Sequence, residues 1–263
     1  MSGLGAVAGR YDTVLFDQFG VLHDGRAPFP GAVEAVRRLR ATGARTAVIS
    51  NSGKRAAANA ARLERLGFEA GLFDVVMTSG EICHQRLAAD LAAGRRAPGD
   101  AVMIVARDGD RSPVEGLDLA VGGAADAALL IIAGREPERH DLATEAAALA
   151  PLAARGVPCL CANPDRIMYA GDATAPGPGA LAEAYAAAGG PVEMIGKPGR
   201  AIFEATLAAL ATADPARALM IGDSLEHDIA GAQAVGMATM LVRGGIQADT
   251  PAGARPPDHV IDR

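Results

Sequence analysis

Asp17 closes the apolar run Val14-Leu15-Phe16 and is followed, after Gln18 and Phe19, by Gly20, whose free φ permits a sharp turn. A carboxylate there would stand exposed at a strand end. The run Val48-Ile49 ends similarly, in Ser50, Asn51, Ser52 and Gly53. Small hydroxyl and amide groups before a helix, together with its N-terminal amides, suit a phosphoryl oxygen. Lys197, between Gly196 and Pro198, is a fixed cation after a strand. In Ile221-Gly222-Asp223-Ser224-Leu225-Glu226-His227-Asp228 two carboxylates lie five residues apart, one at a strand end and one at the start of the next helix. Magnesium favours oxygen ligands and bridges carboxylates to phosphate.

These groups must be held by regular elements. Short apolar, β-branched runs alternate with stretches rich in Ala, Leu and Arg, the pattern of a parallel sheet covered by helices on both faces. The pattern predicts strands near 13–17, 45–50, 74–78, 101–106, 128–133, 158–163, 192–196, 218–223 and 238–242. Helices are predicted at 31–42, 54–66, 81–93, 138–154, 180–188, 200–212 and 228–235, several followed at once by a Gly that ends a helix. The Gly/Pro-rich stretches 93–100 and 173–179 read as loops. Several strands end on a polar residue, and in open parallel sheets ligands bind beyond those carboxyl ends.

The bulk numbers narrow the function classes. A chain of 263 residues with 50% hydrophobic content can bury a large core. A net charge of -6 with Arg, Asp and Glu intermixed leaves no basic stretch for a phosphate backbone, so a nucleic-acid partner is excluded. The first ten residues lack the pattern of a signal peptide, and the most apolar segment, 119–133, falls short of the ~20 residues of a membrane span. Cys83, Cys159 and Cys161 have no zinc-like spacing and read as reduced, mostly buried thiols. These readings together point to a cytoplasmic protein without a membrane partner. Gly3, Gly5 and Gly9 precede the first strand instead of following one, and 52–54 lacks a P-loop's upstream Gly and its Ser/Thr after Lys, so neither is a nucleotide fingerprint.

Taken in order, the four polar groups resemble the four motifs of the haloacid dehalogenase (HAD) superfamily, and the resemblance covers most of the chain. The Ser-Asn-Ser-Gly form of the second motif, the long insertion after it and Asn163-Pro164-Asp165 look most like the class IIA branch of pyridoxal, phosphoglycolate, nucleotide and sugar phosphatases. The resemblance implies an α/β fold, a Rossmann-like parallel-sheet core with an inserted α/β cap domain. The core would be 1–80 and 189–263, and the cap 81–188. It implies magnesium-dependent hydrolysis of a small-molecule phosphate ester through an aspartyl-phosphate, and it admits a homodimer.

Residue by residue, the resemblance makes Asp17 the nucleophile and Ser50 a phosphate contact with Asn51 its neighbour. Lys197 would neutralise charge on both nucleophile and phosphate. Asp17, Asp223 and the backbone carbonyl of Phe19 would share one magnesium ion, with Asp228 supporting the metal site. Such a set is complete for stabilising a transferring phosphoryl group. One position departs from the pattern: Phe19 stands where these phosphatases carry a second Asp, whose acid/base work is worth about 10²–10⁴-fold. His23 and Asp24 could supply the proton or form a solvated loop pair. The alternative is a phosphate-binding or regulatory protein with little turnover. His227 is expected to be exposed, and Asp228 could cap its helix.

Overall fold

The computed structural model describes residues 9–170, 173–244 and 256–262; Gly3 and Gly5 lie outside them. In chain order the first elements are β1 (Thr13–Phe16), α1 (Ala32–Ala41), β2 (Arg45–Ser50), α2 (Ala56–Arg65) and β3 (Val75–Thr78). Then come α3 (Ser79–Ala92), β4 (Asp100–Val105), β5 (Leu119–Val121), β6 (Leu129–Ile132), α4 (Leu142–Ala154), β7 (Cys159–Cys161), β8 (Ile167–Ala170), β9 (Ala173–Pro176), α5 (Pro178–Ala187) and β10 (Val192–Met194). The last are α6 (Arg200–Ala209), β11 (Ala218–Gly222), α7 (Gly231–Ala234), β12 (Ala238–Arg243) and β13 (His259–Asp262). No helix among the described residues is long and apolar enough to cross a membrane.

Two compact units result. One comprises Met1–Ser50, Ala56–Met77 and Lys197–Arg263; the other comprises Asn51–Arg55 and Thr78–Gly196. The second unit therefore reaches beyond the 81–188 read from the sequence. Its last strand, β10, is hydrogen-bonded to β7, which binds residues 192–194 to it. Asn51–Arg55 joins it through a doubly hydrogen-bonded Arg55–Glu81 ion pair, both contacts 3.0 Å, and through the Gly80 amide on the Ser52 carbonyl. That approach is close enough to require glycine, since a Cβ on Gly80 would fall 2.0 Å from the Gly53 carbonyl oxygen.

The first unit is built on a six-stranded sheet in the order β13-β12-β11-β1-β2-β3. β1 lies parallel between β11 and β2, with Phe16 paired to Ile221 on one side and to Val48 on the other. All four residues of β1 and all five of β11 are buried, as expected of central strands covered on both faces. Val14, Phe16, Val48, Leu219 and Ile221 pack with Val36 and Leu39 of α1 and Leu63 of α2 into one core. This anchors three strand ends side by side.

The second unit has its own five-stranded parallel sheet, β10-β7-β6-β4-β5, and a β8–β9 hairpin. Alternation along β6 sends Leu130 and Ile132 to one face, against α4 and α5, and Leu129 and Ile131 to the other, against Cys83 and Leu87 of α3. Cys159 and Cys161, two apart on β7, share the first face. The hairpin corrects the sequence reading of 173–179 as a loop: Ala173–Pro176 pairs antiparallel with Ile167–Ala170. Ala173, Ala175 and Pro176 carry no strand signal, and Thr174 alone does not mark one. Buried Arg135 ties the Pro176 carbonyl to Glu145 and the His140 carbonyl.

Candidate active site

Register alone brings three of the expected residues together in the first unit. Asp17 follows β1 and its amide donates to the Ile221 carbonyl at 2.9 Å. Ser50 ends β2 on one flank, and Asp223 follows β11 on the other. Gly20, at φ +83°, turns the chain back so closely that a Cβ there would lie 2.0 Å from Asp223 Oδ2. Only glycine fits that turn.

Asp223 and Asp228 are fixed by the chain after β11. A helix was read at 228–235; the structure has a π-helical turn, Leu225–Ala230, running into the short α7. Ser224, not Asp228, caps it, accepting from the His227 amide at 3.0 Å. The Asp228 carboxylate instead turns back, and its Oδ2 accepts from the amides of Asp223 at 3.1 Å and Ser224 at 3.0 Å. Gly222 admits it, since a Cβ there would fall 2.2 Å from the Asp228 Cβ. His227, expected outside, is buried because this turn packs onto the sheet. π-Turns of this kind recur where a side chain must be aimed at a site.

Lys197 closes the constellation. Its ammonium donates to Asp17 Oδ1 at 2.7 Å and to Asp228 Oδ1 at 2.6 Å, and the side chain is 3% exposed. Burial alone would lower its pKa, but the two carboxylates hold it above the usual lysine value. Asp17 is pushed well above the ordinary carboxylate range by burial, against the pull of Lys197 and with Asp228 and Asp223 adding to the rise. One oxygen from each of Asp17, Asp223 and Asp228 lies within 4.8 Å of the others. Three carboxylates against one ammonium leave an excess of negative charge in a buried place. Hard oxygen donors with that excess charge suit a divalent cation such as magnesium.

Asn51, the neighbour of Ser50, belongs with the second unit, where its amide donates to Asp165 Oδ1 at 2.8 Å and its oxygen accepts from Ser79 Oγ at 3.3 Å. This explains a link in the sequence that spacing could not give, between the second motif and Asn163-Pro164-Asp165.

The two residues named as stand-ins for a proton donor part company. His23 is buried, contrary to a solvated pair, and Asp24 is exposed. His23 Nδ1 accepts from the Gly25 amide at 3.0 Å, which leaves the ring proton on Nε2, facing Gln18 Oε1 at 3.5 Å. Burial and the charge of Arg62 lower the His23 pKa to about 4, so the ring is neutral. Asp24 accepts from the amides of Arg26 and Ala27, both 2.8 Å away, and those bonds keep its pKa low. The Phe19 ring meets His23 edge-on at 4.7 Å, with the Arg62 guanidinium 5.3 Å from its centroid. Arg62, on α2, drew no attention in the sequence.

Comparison with known proteins agrees with this geometry. Residues 14–120 match the family described as haloacid dehalogenase-like hydrolase, and 194–263 match a HAD-hydrolase-like family, together more than half of the chain. The chain belongs to the haloacid dehalogenase-like hydrolases. Bovine (Bos taurus) chronophin is 33% identical over 252 residues, covering 91% of this chain and 83% of chronophin. A haloacid dehalogenase-like hydrolase from Brucella suis superposes with a TM-score of 0.87 at 27% identity, covering 99% of this chain and 98% of the other. The glycerol phosphate phosphatase of Mycobacterium tuberculosis, solved in complex with magnesium, follows at a TM-score of 0.74 and 28% identity, covering 97% and 76%. Such relatives assign this hydrolase to the class IIA phosphatases of the family.

Proposed function

We propose that this HAD-type phosphatase hydrolyses a small-molecule phosphate monoester with magnesium, through a phosphoryl intermediate on Asp17. The observation that carries the reading is the meeting of Asp17, Asp223 and Asp228 within 4.8 Å, with buried Lys197 donating to two of them. Lys197 fixes Asp17 Oδ1 and so orients the other carboxylate oxygen for in-line attack on phosphorus. The Ser50 hydroxyl and the Lys197 ammonium donate to the phosphoryl oxygens, as Asn51 beside Ser50 is expected to do. Asp17, Asp223 and the Phe19 carbonyl would hold magnesium, with Asp228 in support, and when bound the ion supplies positive charge against the phosphoryl oxygens. The second unit acts as the cap that chooses the substrate. Three reduced, buried cysteines are in keeping with a cytoplasmic enzyme.

The test is turnover of p-nitrophenyl phosphate with magnesium, with a chelator, and in Asp17→Asn. Turnover that needs magnesium and is lost in Asp17→Asn is expected; turnover retained by that variant overturns the reading. Tight phosphate binding without turnover would favour a regulatory protein instead, a reading that the aprotic side chain of Phe19 supports.

A further inference from the structure

We infer that the enzyme selects phosphate compounds whose leaving group departs as a stabilised anion, namely aryl, enol and acyl phosphates. Two residues past the nucleophile, the loop after Asp17 presents the aromatic ring of Phe19, with the guanidinium of Arg62 from α2 over it. The inference rests on the Asp17 reaction proposed above and narrows its substrate class.

An alkoxide must be protonated as its P–O bond breaks, work worth about 10²–10⁴-fold. Four described side chains of the first unit lie next to Asp17 in space or sequence and could be asked for that proton, and none is placed to give it. Lys197 is held between Asp17 and Asp228. His23 points its Nε2 into a buried relay, facing Gln18 Oε1 at 3.5 Å, while Gln18 in turn donates to Asn59 Oδ1 at 3.2 Å. Asp24 is an acceptor for two backbone amides. Phe19, two residues after the nucleophile and 36% exposed, has no proton to give.

What meets this loop is Arg62 of α2, its guanidinium over the Phe19 ring and, among the described residues, without a carboxylate partner. A guanidinium does not release its proton near neutral pH, but it stabilises charge that develops beside it. An unsaturated leaving group can in addition lie against the Phe19 ring.

The chemistry balances without an acid. An Asp17 oxygen bonds to phosphorus as the P–O bond to the leaving group breaks, and the electron pair stays on the departing oxygen, which leaves as an anion. Water then adds to phosphorus, the bond to Asp17 breaks with its pair returning to the carboxylate, and both water protons leave on dihydrogen phosphate.

The experiment compares kcat/KM of the magnesium-loaded enzyme for acetyl phosphate, p-nitrophenyl phosphate, phenyl phosphate and glycerol 3-phosphate. Rates should follow leaving-group acidity, with glycerol 3-phosphate about 10²–10⁴-fold below p-nitrophenyl phosphate, and Phe19→Asp should narrow that gap. Arg62→Gln should slow p-nitrophenyl phosphate by roughly 10-fold, the scale of one displaced charge contact, with Arg62→Lys recovering part of the loss. Glycerol 3-phosphate turned over within about 10-fold of p-nitrophenyl phosphate would overturn the inference while leaving the Asp17 reaction standing. No turnover of any of the four compounds would overturn the Asp17 reaction itself and the inference with it.

Discussion

Replacing Lys197 by Met removes the ammonium that lies between Asp17 and Asp228, 2.7 and 2.6 Å from their oxygens, and leaves the carboxylates facing one another. The methionine fills nearly the same space, so packing changes little. The Lys197 side chain is 3% exposed and that of Asp228 1%, so water cannot replace the lost partner. Breaking such a buried pair costs about 3–5 kcal/mol, a large share of the ~5–15 kcal/mol by which a domain is stable. The cost depends on pH. Without the ammonium one carboxylate takes up a proton in the folded state, so its folded pKa rises further above the unfolded value of roughly 3.9. A group raised in this way stabilises the fold fully below the unfolded pKa and loses that stabilisation as pH rises through the folded pKa. Lys197→Met should therefore lie about 3–5 kcal/mol below wild type at pH 8, less at pH 5, and less again when magnesium is added. Urea unfolding followed by circular dichroism at both pH values, with and without magnesium, measures this. A deficit under about 1 kcal/mol, or one identical at the two pH values, would refute the reasoning.

Gly20→Ala drives a Cβ to 2.0 Å from Asp223 Oδ2 at φ +83°, whereas Gly236→Ala meets nothing nearer than 3.9 Å at φ +86°. Both should lose about 1–2 kcal/mol of stability to the left-handed backbone, but only Gly20→Ala should weaken magnesium affinity, by roughly 10-fold or more, in calorimetric titration. His23 is neutral in the fold with a pKa near 4 against 6.5 unfolded, so its contribution is whole above pH 6.5 and is lost as pH falls toward 4. His23→Gln should remove up to about 3 kcal/mol of that acid-side dependence in urea unfolding curves. Burial raises the pKa of all three thiols, those of Cys83 and Cys161 to about 12. The native protein should thus resist a thiol-specific disulfide reagent at pH 8, and full reactivity should appear only in denaturant; fast native labelling would contradict the burial.

Much of the first unit was legible because central parallel strands are continuous apolar runs, as in Val14-Leu15-Phe16 and Leu219-Met220-Ile221. Their polar ends marked Asp17, Ser50 and Asp223, and the sheet order then made those ends neighbours. The edge strands β3 and β10 were read, but β5, β13 and the β8–β9 hairpin were not. β5 is three residues long, β8 and β9 are half exposed, and β13 has a half-exposed pattern, so none offers a buried run to read. The side-chain environments depended on contacts distant in sequence. Arg62 meets Phe19 across 43 positions, and Asn51 meets Asp165 across 114. His227 was expected outside, and His23 was left open between a proton donor and a solvated loop residue, for a related cause. A histidine's burial is set by the turn that carries it, here the π-turn after Ser224 and the tight loop after Gly20, and neither turn is written in hydrophobic periodicity.

The central claim is that Asp17 accepts the phosphoryl group. The direct measurement is to mix the enzyme with magnesium and a turned-over phosphate ester, quench in acid, reduce with borohydride, and sequence the peptides by mass spectrometry. An acyl phosphate on Asp17 is reduced to homoserine, so the account predicts homoserine at position 17 in the wild-type protein and none when substrate is omitted or when Asp17→Asn is used. Steady turnover with the Asp17 peptide unmodified, or with the reduced residue at another carboxylate, would contradict it.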